Sequence, residues 1–331
     1  MENRGYYIEK ALQGAQSILD INHDTIRELQ GLTGSMIGIK RHISTVCEMR
    51  VWVKKYGLLP GLQYDAKDGY MSIKPNPDPI HKAARGVMLT FLDEIVQKSV
   101  LAYPKREYSV TFNQPYFLKG EFEGHIQTSD GQINEDDTDF PRVVVLIGNL
   151  EELNRGANKW LYGTKRKTRL VICVEIFERP PPSEFPWGLS TEQLLKIPRD
   201  GLSNHILNWH SHHGSSIRGA IAANLFVCDR DDDQTEPVWQ SNFGGKDRAF
   251  KDSFGDTVPP GVESYRNTAH LNLQLTDGIE VDLPVHALED SIYRALDDFA
   301  VERAMIQADE ALDLTKTRDG STETRKGKPK V

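Results

Sequence analysis

Cysteine is scarce in this chain and scattered where it occurs: Cys47, Cys173 and Cys228 are an odd set, far apart, with no CxxC pair among them. That spacing argues against a disulfide framework and a paired-cysteine zinc site, and leaves the three as expected core thiols. Long apolar runs are missing too. No stretch of about 18 apolar residues occurs, and the opening MENRGYYIEKALQG carries neither a basic nor an apolar leader segment. A membrane is therefore not an expected partner, and the cytoplasm or nucleus is the expected location. Positive charge is not in excess, since 40 Lys and Arg stand against 48 Asp and Glu for a net charge of -8. Attraction to nucleic acid would have to come from a local patch. The GxSxG and GxxxxGK[ST] patterns are also absent, so nothing points to a nucleophile elbow or a nucleotide cofactor.

What is present suffices for a core. With 331 residues, 38% hydrophobic and 27% charged, the chain is expected to form one elaborated domain. Between Ile8 and Tyr56 apolar residues recur at helical steps, which predicts a helical N-terminal subdomain over 1–60. Residues 60–80 carry Pro, Gly and Asp in clusters and read as a connection. A helix is expected from about Ile80 to Val100. The period then changes to that of strands: EYSVTF (107–112), EFEGHIQT (121–128), RVVVLIG (142–148) and RLVICVEIF (169–177). The last two are apolar on both faces, as buried central strands are. LEELNRGANKWLYG between them is long enough for a crossover helix to a parallel neighbour.

Residues 179–217 read as an irregular insertion in a core spanning 80–284, with AIAANLFVCD (220–229) and HLNLQLTDG (270–278) extending the sheet. An amphipathic helix is expected over 285–312, packed on the body or on a second copy, so a homo-oligomer through the helical flanks is one expected partnership. The tail 313–331 has almost no apolar residue and is expected to be disordered.

The fold class is thus α+β, with a mixed sheet in the order αβββαβ and extra helices at both ends. In residues 130–178 Asp130, Gly131 and Gln132 lead through Pro141 into an apolar strand, followed by a helix with Leu153, Trp160 and Gly163 and a second apolar strand. This segment resembles uncharacterised fungal proteins distantly similar to restriction-endonuclease-like proteins of the PD-(D/E)XK nuclease superfamily. The resemblance implies a metal-dependent phosphodiesterase site, in which two carboxylates at adjacent strand ends hold Mg²⁺ and a Lys steadies the scissile phosphate. It makes Asp130 the first carboxylate. The second falls on Leu146 and the Lys near Gly148 or Gly156, none of which supplies the group. Lys159, further along the helix, is the substitute cation, with a solvated helix face as its alternative role. Glu123 and Asp137 are the displaced carboxylates that would join Asp130 in a metal site, although NEDDTD also reads as a solvated turn. The expected function is therefore a catalytically degenerate nuclease fold serving as a binding or interaction module, with an active Mg²⁺ nuclease as the alternative.

Three further features stand outside that resemblance. His210, His212 and His213 in SNHILNWHSHHGSS are spaced closely enough to bind Zn²⁺ or to act as acid and base, although no Cys, Asp or Glu in the segment completes a shell. RGANKWLYGTKRKTR (155–169) holds six cations and no acid, so Arg155, Lys159, Trp160, Lys165, Arg166 and Lys167 are candidate nucleic-acid contacts. Glu175 lies in a strand that reads as buried, which predicts an Arg or Lys partner.

Overall fold

The computed structural model describes residues 4–32, 37–39, 45–136, 138–179, 187–213, 217, 220–229, 238–243, 250–251, 257–258, 272–274 and 279–323. Near the N-terminus come α1 (Arg4–Ala11), α2 (His23–Gln30), β1 (Ile37–Ile39) and α3 (Val46–Tyr56), then β2 (Leu62–Asp65) and β3 (Tyr70–Ile73). The long helix α4 (Pro79–Ala102) leads to β4 (Tyr108–Thr111), β5 (Tyr116–Phe117), β6 (Ile126–Gln127), β7 (Gly131–Glu135) and β8 (Val143–Gly148). After α5 (Leu150–Gly163) follow β9 (Leu170–Arg179), α6 (Thr191–Lys196), α7 (Arg199–His212), β10 (Ala220–Asp229) and β11 (Trp239–Asn242). The short strands β12 (Phe250–Lys251), β13 (Thr257–Val258), β14 (Asn272–Gln274) and β15 (Glu280–Asp282) precede α8 (Val285–Glu323).

Local chemistry sets the starts of the helices that matter for the site. Asp78 caps α4 by accepting from the His81 N–H at 2.8 Å, and Pro79 occupies the first turn, where no donor is required. Asn149 caps α5 by accepting from the Glu152 N–H at 3.0 Å. Thr45 and Glu48 close a reciprocal capping box on α3.

The larger sheet has six strands in the order β11-β10-β9-β8-β7-β4. Its β4–β7 and β7–β8 pairs are antiparallel, β8–β9 is parallel across the α5 crossover, and β9–β10 is antiparallel. Both faces are covered. Val143, Val145 and Ile147 of β8 point toward α4 and α8, where they meet Met88, Leu92, Ile292 and Leu296. Val144 and Leu146 point the other way, against Leu153, Ala157 and Trp160 of α5. Each such aliphatic side chain taken out of water contributes about 1.5–3 kcal/mol. The smaller sheet, β1-β3-β2-β6-β5, packs its own core with α2 and α3 around Trp52, Leu62 and Ile73.

The α+β class and the strands β4, β8, β9 and β10 are as the sequence predicts, and so is the crossover helix. Several expectations are corrected. Residues 60–80 are not a mere connection but carry the β2–β3 hairpin, and the helical N-terminal stretch includes β1. EFEGHIQT contributes only Ile126–Gln127, to the smaller sheet; β7, read as a turn, fills the vacated position beside β8. The 179–217 segment includes two helices, α6 and α7. Residues 272–274 pair with β15 in a sheet of their own rather than extending the large one. Helix α8 runs to Glu323, into the tail expected to be disordered, while 324–331 lie outside the described residues. Cys47 is exposed, so only Cys173 and Cys228 fit the core-thiol expectation. Among the described residues no helix is long and apolar enough to cross a membrane.

Candidate functional site

Asp130 stands directly before β7, beside Leu146: Gly131 is in register with Val145, and the Asp130 N–H donates to the Val145 carbonyl at 2.9 Å. Its carboxylate is 1% exposed and fully engaged. Lys74, just past β3, donates to Oδ1; His81 Nε2, in the first turns of α4, lies 2.9 Å from the same oxygen; and the Ile147 N–H donates to Oδ2 at 2.8 Å. Burial alone would raise the pKa of this carboxyl, but the Lys74 and His81 charges and hydrogen bonds outweigh it and hold the group far below the usual carboxylate range.

Leu146 fills the adjacent place. Its side chain enters the α5 face so closely that a Cβ on Gly156 would meet Leu146 Cδ1 at 2.9 Å. Gly148, one pleat further on, supplies neither carboxylate nor cation. The donor set around Asp130 therefore does not fit Mg²⁺, because its one carboxylate is already bound by two basic side chains and its neighbours are Leu and Gly.

The other predicted ligands lie elsewhere. Glu123 is exposed and sits 3.6 Å from Arg50, and Asp137 lies outside the described residues. Lys159 does not occupy a solvated face: it is buried, and its Nζ lies 2.7 Å from Asp65 Oδ2 at the end of β2. His125 Nδ1 approaches the other oxygen of Asp65 at 3.6 Å. Burial raises the Asp65 pKa, and Lys159 and His125 more than reverse that, leaving it lowered. For His125 burial is the leading cause and depresses its pKa. Two Asp–Lys–His constellations, Asp130 with Lys74 and His81 and Asp65 with Lys159 and His125, thus bind the hairpin of the smaller sheet to the larger sheet and its helices.

Gln132 is a second polar hub on β7. It accepts from Ser129 Oγ at 2.6 Å and donates to the Tyr116 hydroxyl at 2.7 Å and to Asn134 Oδ1 at 3.0 Å. Lys74, His81, Asp65, His125 and this hub were missed by sequence reasoning. Their partners lie up to 94 residues away in the chain, and no local pattern marks them.

His210 and His212 are carried by α7, and His213 is its C-cap residue. His210 is buried, while His212 and His213 are exposed at the helix end, their Nδ1 atoms 2.7 and 2.8 Å from the Asn208 and Trp209 carbonyls. Residues two apart on a helix point about 200° apart, so His210 and His212 diverge and the expected chelate does not form. Among the described residues no group of three or more His, Cys, Asp or Glu is placed to hold a metal ion.

The segment 155–169 divides. Trp160 is 0% exposed and meets Tyr116 edge-on at 5.6 Å, so it packs the helix onto the sheet and offers no face to a base. Lys159 turns inward with it, while Arg155 is exposed and 3.5 Å from Glu151. The remaining cations concentrate in the turn after α5. Lys165 (φ 52°) and Arg166 (φ 66°) are both left-handed, and the Lys167 N–H donates to the Thr164 carbonyl at 3.1 Å, closing a tight turn of the I′ kind. Two non-glycine residues in that conformation cost on the order of 1 kcal/mol each. Thr164 and Thr168 hold its base, with Thr168 Oγ1 donating to the Pro141 carbonyl at 2.7 Å. Lys165, Arg166, Lys167 and Arg169 are all exposed. Helix α5, 14 residues and about 21 Å long, separates this turn from the Asp130 end of the sheet.

Comparison with known proteins finds no matching family model, and no match among curated proteins or solved structures.

Proposed function

We propose that this chain is a nuclease-like scaffold of the PD-(D/E)XK type that binds nucleic acid and does not cut it. The observation that carries the reading is Asp130: it stands where the nuclease resemblance puts the first metal-binding carboxylate, yet it is spent on Lys74, His81 and the Ile147 amide. Supporting it are the strand succession β4-β7-β8-β9 with the α5 crossover and α4 ahead of it, a succession like the αβββαβ order that the resemblance implies, and the presence of Leu146 and Gly148 where metal chemistry needs a carboxylate and a cation.

The binding surface is the Lys165-Arg166-Lys167 turn, since a tight, strained turn of exposed cations suits a phosphate backbone. Apolar side chains exposed on the helical flanks, such as Val51 and Tyr293, are scattered singly as on most surfaces, so nucleic acid rather than a second copy is the partner proposed.

The test combines cleavage and binding. With Mg²⁺ or Mn²⁺ the purified protein should leave single- and double-stranded DNA intact, while its affinity for duplex should fall with salt at a log-log slope of about -0.9 per phosphate contacted. Replacing Lys165, Arg166 and Lys167 together by Ala should flatten that slope by about two to three units. Metal-dependent cutting that Asp130→Ala abolishes would overturn the non-cutting half; equal, weak binding by wild type and triple variant would overturn the binding half.

A further inference from the structure

The basic turn after α5 is joined to two other segments. From the loop after β5, the Lys119 N–H donates to the Gly163 carbonyl at 2.7 Å. From the loop before β8, the Pro141 carbonyl accepts from Thr168 Oγ1 at 2.7 Å and the Arg142 carbonyl from the Arg169 N–H at 3.0 Å. The two loops meet beside the turn, where Lys119 Nζ donates to Asp139 Oδ2 at 3.0 Å and lies 5.3 Å from the centre of the buried Phe140 ring.

Asp139 is the one acid in residues 138–142 and 163–169, whose other charged groups are all cations. Its carboxyl is held below the usual carboxylate range first by the Lys119 hydrogen bond and charge, and then by the charges of Lys165 and Lys167. Three lysines from two segments therefore act on one carboxylate, which is charged at neutral pH. The pair faces water, with the Lys119 side chain 42% and the Asp139 side chain 77% exposed. An ion pair of that kind adds little to stability, and its partners can separate into solvent at small cost. A carboxylate oxygen and a phosphate oxygen present the same kind of acceptor to an ammonium group, so Asp139 stands where a phosphate would be drawn.

We propose that Lys119 belongs to the same phosphate-binding surface as Lys165, Arg166 and Lys167, and that Asp139 occupies this surface as a built-in counter-anion which a nucleic-acid phosphate displaces. The proposal rests on the nucleic-acid reading above, and adds to it a contact residue from a separate loop and an internal limit on affinity. On binding, the Lys119 contact to Asp139 is exchanged for one to phosphate, and the freed carboxylate repels the backbone beside it. Removing the acid should therefore tighten binding, although Asp139 itself offers nucleic acid no favourable contact.

The test measures binding of a duplex DNA oligonucleotide to the full chain across a salt series. At about 0.1 M salt Asp139→Asn should bind about threefold more tightly than wild type, somewhat under the roughly fivefold that one unit charge at about 4 Å is worth in unscreened water, and the gain should shrink as salt rises. Lys119→Ala should bind more weakly and flatten the log-log slope by about one unit. Glu151→Gln changes the net charge equally, but at the far end of α5, about 21 Å away and beyond the Debye length at that salt, so it should bind as wild type does. Asp139→Asn binding no more tightly than Glu151→Gln, or Lys119→Ala keeping the wild-type slope, would overturn the proposal. Should one of the two variants fail to fold, the other decides. Wild-type binding that the Lys165, Arg166 and Lys167 triple variant loses, with Asp139→Asn and Lys119→Ala unchanged, removes only the role of Lys119 and Asp139. No binding by either wild type or Asp139→Asn at the lowest salt removes the nucleic-acid reading as well.

Discussion

Lys159 of α5 reaches across to Asp65 at the end of β2, 94 residues earlier in the chain, with Nζ 2.7 Å from Oδ2 and both side chains largely buried. This contact joins the smaller sheet to the crossover helix of the larger one. A buried pair is informative mainly when broken, because removing one partner strands the other charge in a poorly solvated place.

Lys159→Met should therefore destabilise the protein by about 2–3 kcal/mol, somewhat under the full-burial cost because Asp65 retains some exposure. Adding Asp65→Asn should recover part of that loss. Urea unfolding is the measurement, with the exposed Arg155→Met as a control expected within about 0.5 kcal/mol of wild type. An unchanged midpoint for Lys159→Met would show that the pair does not secure the sheets.

The Asp130 cluster predicts a specific acid sensitivity. Its folded pKa is depressed by Lys74 and His81, so its contribution is fully present above the unfolded value of about 3.9 and is lost as pH falls below that toward the folded value. Stability should drop over that window in wild type and more gently in Asp130→Asn, as read from urea midpoints between about pH 5 and about pH 2. Lys74→Met should be the more damaging change at neutral pH, since it leaves Asp130 charged beside His81 alone. Parallel pH profiles for wild type and Asp130→Asn would refute the assignment.

His125 acts at higher pH. Burial depresses its pKa, with Lys159 opposing protonation and Asp65 and Asp68 favouring it. Below the unfolded value of about 6.5 the unfolded chain takes up a proton that the folded chain resists, so stability declines as pH falls from there. His125→Gln should remove that first phase of decline and leave the lower-pH phase from Asp130 in place. A wild-type curve that is flat from about pH 7 to about pH 5 would contradict this.

Placing a carboxylate beside Asp130 should not create metal chemistry there. Leu146→Glu puts a charge into the apolar face made with Leu153, Ala157 and Trp160, against an Asp130 already held by its own partners. The expected result is a loss of about 3–5 kcal/mol and no gain of Mg²⁺-dependent cleavage. A stable, DNA-cleaving Leu146→Glu protein would mean that Asp130 is free to change partners.

Much of the scaffold was legible because its signal is local. RVVVLIG, RLVICVEIF and AIAANLFVCD are largely apolar runs, as strands covered on both faces are, and the 14-residue LEELNRGANKWLYG stretch between the first two leaves room for a parallel crossover. β7 was missed because DGQINE has one apolar residue, Ile133; Gln132 and Asn134 spend their amides on Tyr116, Thr111 and each other, and that network is invisible without the neighbouring strand. Two elements had readable signals that were not used. Leu62 and Tyr64, then Met71 and Ile73, alternate as strand residues do, and the Ser190 to Gln193 spacing is a capping box for α6.

The amino-acid sequence by itself determined the class of the fold, the buried strands and the crossover helix, and it determined that Leu146 and Gly148 bring no metal chemistry to the place beside Asp130. Those properties reside in side-chain identity and short-range periodicity. Only the tertiary structure decided what the polar residues do: that Lys74 and His81 engage Asp130, that Lys159 turns inward to Asp65, and that Glu175 meets Asn224 instead of a cation. The physical reason is that a charged side chain has no preferred partner in the sequence. Its partner is whichever group the packing of distant apolar segments brings within about 3 Å of it after water has been expelled.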